Sequence, residues 1–89
     1  MTNLKLLIDS DYSSEQGKEL LLNLVNQKID FINKALFMEF LYSNKKNKSS
    51  EQRVKELKQL KQEIIADFEA NPSKKVQVEA SLSYRFLED

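Results

Sequence analysis

The chain has 89 residues with 14 basic and 14 acidic side chains, no histidine and no cysteine, so its formal net charge is zero. Zero net charge argues against binding a polyanion through the overall field, and the missing cysteines exclude disulfides and thiolate metal sites. Without histidine the chain lacks the commonest general base, the commonest metal ligand and every histidine-based nucleophile relay.

One glycine and one proline leave little room for phosphate-cradling loops and favour long regular elements. A single domain over residues 1–89 is expected, near the small end of what buries enough surface to fold unaided, so self-association would supplement a thin core. The first residues carry no basic region followed by a long apolar run, and no uncharged stretch approaches the roughly 18 residues needed to span a bilayer. A soluble protein with no secretory signal and no membrane partner is expected, and the lack of cysteine suits a bacterial, cytoplasmic one.

Taken in order, Leu4, Leu6 and Ile8 alternate with Asn3, Lys5 and Asp9, with Leu7 the only exception. This predicts a short strand of about six residues that Asp9-Ser10-Asp11 brings to an end. Ser13-Ser14-Glu15-Gln16 has the form of a capping box, in which the Ser13 hydroxyl accepts from the backbone N–H of Gln16. Gly17 follows in the first turn, where a helix tolerates glycine best.

From Ser13 to Tyr42 the spacing predicts one helix of about 30 residues, roughly 45 Å long, on which the rest of the chain is organised. Leu22, Val25, Ile29, Ile32, Leu36 and Phe40 fall in one stripe. Leu20, Leu24, Phe31, Ala35, Met38 and Tyr42 fall in a second, with Leu21, Lys28 and Glu39 on the seam. Two stripes imply two packing partners. Near the end of the helix Phe37 and Leu41 join the otherwise polar outer face, so this end is apolar all round and calls for cover by the same chain or a second subunit.

Ser43-Asn44-Lys45-Lys46-Asn47-Lys48 is a polar connection of the length that joins antiparallel helices. Ser49-Ser50-Glu51-Gln52 repeats the capping sequence, and a second helix is predicted from about Glu51 to Ala70, with Val54, Leu57, Leu60, Ile64, Ile65 and Phe68 on one face. Folding back in register places Leu57 opposite Leu36, Ile64 near Ile29 and Phe68 near Val25. Asn71-Pro72 stops this helix. Val76, Val78, Ala80, Leu82, Tyr84 and Phe86 then alternate with polar residues, predicting a strand of about eleven.

The predicted class is α+β: an antiparallel two-helix hairpin with a small antiparallel sheet of the N- and C-terminal strands, in the order β-α-α-β. The apolar face of that sheet is expected on the second stripe of the long helix, giving two layers. Because the last strand is expected to be nearly twice the length of the first, part of its edge would stay open.

No residue constellation points to catalysis or to a cofactor. There is no G-x-S-x-G, S-x-x-K, phosphate loop or dinucleotide fingerprint, and the pair Glu63 and Asp67 has no second carboxylate pair placed opposite it to hold a metal. Lys28, Glu39 and Lys61 read as amphipathic side chains reaching past apolar neighbours.

Between Asn44 and Lys61 stand Lys45, Lys46, Lys48, Arg53, Lys55, Lys58 and Lys61 against Glu51 and Glu56, leaving roughly +5 at the hairpin tip. An alternative reading makes this tip a nucleic-acid contact, chiefly through Lys45, Lys46, Lys48, Arg53 and Lys55. One arginine and no aromatic residue in the stretch make a solvated lysine-rich face the favoured reading.

In element order alone, a strand followed by two helices resembles the ribbon-helix-helix repressors, whose dimeric ribbon reads the major groove. The length of the first helix, the apolar strand and the second strand depart from that pattern, and no family is assigned. The leading expectation is a non-catalytic protein–protein interaction protein, a homodimer associating through Phe37, Leu41, Val76, Val78, Leu82, Tyr84 and Phe86, with no other partner named by the sequence.

Overall fold

Alternating apolar side chains at the two ends of the chain form strands and helically spaced ones between them form helices, in a computed structural model that describes residues 2–43 and 47–88. The order is β1 (Thr2–Tyr12), α1 (Ser14–Ser43), α2 (Lys48–Ala70) and β2 (Val76–Arg85), and β1 and β2 pair antiparallel in a two-stranded sheet. This is the α+β helical hairpin with a terminal-strand sheet that the periodicities predict.

Each helix begins where a side chain satisfies an otherwise unpaired backbone donor. Ser13 Oγ accepts from the Gln16 N–H at 3.2 Å, as the capping sequence requires. The second copy of that sequence does not cap α2. Asn47 Oδ1 accepts from the Ser50 N–H at 3.0 Å, and α2 starts at Lys48, ahead of the expected Glu51. Asparagine caps as well as serine, and standing earlier it leaves Ser49 and Ser50 inside the first turn. At the other end Asn71 closes α2 twice, its backbone N–H donating to the Phe68 carbonyl and its Nδ2 to the Asp67 carbonyl at 2.9 Å.

The hairpin core forms where the first stripe of α1 meets the apolar face of α2. Ile29, Val54 and Leu57 are buried, with Val25, Ile32 and Leu36 packed against them. All four α1 residues in this cluster belong to the predicted first stripe. Phe68 departs from the expected register: its ring lies beside Gly17, near the start of α1, and not at Val25.

Gly17 accounts for that placement. It is buried, and a β-carbon built on it would overlap Val76 Cγ1 and lie 3.7 Å from the Phe68 ring. The absence of a side chain therefore lets the start of β2 and the end of α2 close on the first turn of α1. Close approach, and not tolerance of flexibility, is the role of this glycine.

The sheet corrects the expected strand lengths. β1 has 11 residues and β2 has 10, paired from Thr2–Arg85 to Tyr12–Val76, so the first strand covers the last along its whole length. Asp9, Ser10 and Asp11 stay in the strand because Glu79, Val78 and Gln77 stand across from them, and an exposed sheet face accepts polar side chains. β2 ends at Arg85, one residue short of Phe86.

A register shift falls between Leu6 and Ile8, leaving Leu7 as the extra residue of a β-bulge. Leu7 is also the residue that breaks the alternation in the sequence. Its insertion has a large effect on facing, since residues directly across a ladder share a face and a one-residue slip exchanges the faces. Ile8, Ser10 and Tyr12 stand across from Ala80, Val78 and Val76, whereas Leu4 and Leu6 stand across from Ser83 and Ser81 on the opposite face.

The expected two-layer packing is therefore only partly formed. Leu20 and Leu24, the near end of the second stripe, are half-buried, but Phe31, Ala35, Met38 and Tyr42 are exposed, so the sheet does not cover the far half of that stripe. The molecule is flat, with extents of 48 × 32 × 15 Å. A thickness of 15 Å is little more than the ~10–12 Å diameter of one helix with its side chains.

Candidate interaction surface

Two contiguous bare regions follow from this architecture. The first is the last three turns of α1, where Phe31 is 69% exposed and Tyr42 83%, with Phe37, Met38, Phe40 and Leu41 also open. The second is the end of the sheet away from the helices, where Leu4 is 70% exposed and Leu6, Leu7, Leu82, Tyr84, Phe86 and Leu87 are uncovered. The bulge makes this sheet end apolar on both faces, Leu82 and Tyr84 on one and Leu4 and Leu6 on the other. Tyr84 and Phe86 support one another edge to face, with ring centroids 6.0 Å apart.

Of the residues expected to self-associate, Phe37, Leu41, Leu82, Tyr84 and Phe86 lie in these two regions. Val76 and Val78 do not. Val76 is half-buried against Gly17, and Val78, 3% exposed, is the most buried residue of the core, so both already serve the fold of the single chain. Sequence reasoning missed Phe31, Met38 and Tyr42, which it assigned to the sheet, and Leu4 and Leu6, which it placed on the inner face. The break at Leu7 was the available signal for the latter pair.

Charged groups flank the bare surfaces, with Lys34 and Glu39 exposed on the α1 stretch and Lys5, Arg85 and Glu88 at the sheet end. Lys28 Nζ lies 5.4 Å from the centroid of the Phe31 ring, a cation–π contact one turn along the same helix. Glu39 is exposed on the seam beside Met38, and Lys5 stands across from Leu82 on the sheet face that carries Tyr84.

At the lysine-rich tip, Lys45 and Lys46 lie outside the described residues. Lys48, Lys55 and Lys58 are exposed, Lys61 is half-buried, and the Arg53 guanidinium is held 3.1 Å from Glu56 in the one ion pair among the described residues. That pair lowers the positive charge Arg53 presents.

A hollow of about 630 Å³ opens between the start of α1 and the turn after α2, lined by residues that include Ser13, Glu15, Lys18, Phe68, Pro72 and Lys75. Among the described residues no polar or charged side chain is buried, so no buried polar group is held in this hollow in the manner of a specific small-molecule site. No group of three or more acidic residues is placed to hold a metal ion among the described residues, and no helix there is long and apolar enough to cross a membrane.

No protein-family model, curated protein or solved structure matches the chain.

Proposed function

We propose that this is a non-catalytic protein–protein interaction protein that works as a homodimer, in the cytoplasm of a bacterium as its composition suggests. The observation that carries this reading is an excess of surface. The chain exposes 7588 Å², where size scaling gives about 5,400 Å² for a compact monomer of this mass, an excess of about 2,200 Å². The apolar end of α1 and the apolar sheet end contribute to that exposed surface through Phe31, Phe37, Met38 and Tyr42 and through Leu4, Leu6, Leu82 and Tyr84.

A stable interface of standard size needs about 800 Å² from each partner, so the excess suffices for one such contact. A second copy is the economical partner because it brings the same two surfaces, and a two-fold axis would satisfy both at once.

Sedimentation equilibrium at micromolar concentration tests the reading. Twice the chain mass of 10.4 kDa is expected. A single-chain mass at tens of micromolar overturns it.

A further inference from the structure

Resting on the homodimer reading, we infer that the dimer forms by reciprocal exchange: the Leu82–Tyr84 face of each sheet end seats on the bare outer stripe of α1, from Phe31 to Tyr42, of the other copy.

Four observations converge on this geometry. The first is the continuity of the sheet face. Val78, Ala80, Leu82 and Tyr84 lie on one side of β2, and exposure rises along the row from buried Val78 to open Leu82 and Tyr84. A single chain covers the beginning of this row and leaves the end bare. A second surface laid along the same line would complete it.

The second is length. Phe31 to Tyr42 spans roughly 17 Å of helix at 1.5 Å per residue, and the bare sheet face from Leu82 to Tyr84 spans roughly 7 Å of strand at about 3.3 Å per residue. The sheet end therefore fits within the length of the helix stripe.

The third is charge. Lys5 stands on the same sheet face as Leu82 and Tyr84, and Glu39 lies at the edge of the helix stripe beside Met38. Neither is engaged in an ion pair among the described residues. Seated on the Glu39 edge of the stripe, away from the exposed Lys34, the cation of one copy comes toward the carboxylate of the next, which favours this register over a like-on-like contact.

The fourth distinguishes face packing from edge pairing. Joining two β2 strands edge to edge would satisfy backbone groups but leave both apolar faces of the sheet end in water. β1 covers one edge of β2 and the outer edge stays open, so edge pairing is the competing geometry that cross-linking separates from face packing. Seating sheet face on helix stripe covers Leu82 and Tyr84 together with Phe31, Met38 and Tyr42, and leaves only the Leu4–Leu6 face of the sheet end open. Each copy offers one of each surface, so contacts made reciprocally close about a two-fold axis at two copies, whereas one-way contacts would propagate and give a mass above the dimer.

The chain has no cysteine, so introduced ones report without background. Leu82→Cys and Met38→Cys variants, made separately and distinguished by a mass tag, are mixed, allowed to exchange, and treated with a short bismaleimide. The expected product is the mixed dimer, in excess over either same-variant dimer. Dominant Leu82→Cys self-linking would place the strands at the axis and overturn the geometry while leaving the dimer intact. A dimeric mass with no linking would also overturn it, pointing to another surface. A monomeric mass would defeat the homodimer reading itself.

Charge reversal supplies a second readout that leaves the single-chain core untouched. Lys5→Glu and Glu39→Lys are each expected to raise the dimer dissociation constant by about fivefold, and the double variant to restore it. Weakening by both singles without any recovery in the double would contradict the pairing.

Discussion

Gly17 shows how much one missing side chain can position. In an ordinary helix interior, Gly→Ala stabilises by up to about 1 kcal/mol. Here the new β-carbon would meet Val76, so Gly17→Ala is expected to destabilise by about 1–3 kcal/mol, the usual cost of overpacking. A double-mutant cycle with Val76→Ala in urea melts should recover part of that cost, because removing Cγ1 reopens the space. A stabilising Gly17→Ala would contradict the close approach.

Helix capping gives a second test at this scale. Asn47→Ala should cost about 1 kcal/mol while Ser49→Ala stays within about 0.5 kcal/mol, since Asn47 alone accepts from Ser50 in the structure. Equal losses would restore the later start of α2. Both residues were visible in the sequence, but the choice between two adequate caps depends on where the connection from α1 ends. The reason for Gly17 was invisible for a similar cause, since its neighbour Val76 lies in the last strand.

Among the elements, the two stripes of α1 were legible from spacing alone, and the structure confirms the pairing of the first stripe with α2. Ile29→Ala and Leu57→Ala are expected to destabilise by about 2–5 kcal/mol, as large-to-small changes in a core do. Phe37→Ala, on the outer face, should cost clearly less in the same melts. Phe37→Ala costing more than both core changes would reverse the face assignment.

The sheet was less legible because pairing outweighs local composition. Asp9-Ser10-Asp11 reads as a stop, yet the full length of β2 holds it in the ladder. The bulge is an intermediate case. Leu7 marked itself as an irregularity in the pattern, but only the register shows that it turns Leu4 and Leu6 to the face opposite Val78. The candidate surface inherits these limits: five of its members were named from sequence, whereas Phe31, Met38 and Tyr42 depend on how far the sheet fails to cover α1, and Leu4 and Leu6 on the bulge.

At the scale of the molecule, the single chain is more expanded than its length warrants. Its radius of gyration is 16.4 Å, against about 12 Å for a compact domain of 89 residues and about 16 Å for a compact chain of twice that length. The buried apolar core is correspondingly small, with Ile29, Val54, Leu57 and Val78 its buried members among the described residues. Such a core gives limited stability against chain entropy, and covering the bare α1 stripe and sheet end would enlarge it.

A core that pairing completes couples folding to association, and the concentration dependence of unfolding reads that coupling. Urea melts followed by far-ultraviolet circular dichroism would be run at two protein concentrations a hundredfold apart. Mass action then adds about 2.7 kcal/mol per dimer at the higher concentration, predicting a rise in midpoint on the order of 1 M urea. Superimposable melts at the two concentrations would contradict the coupling.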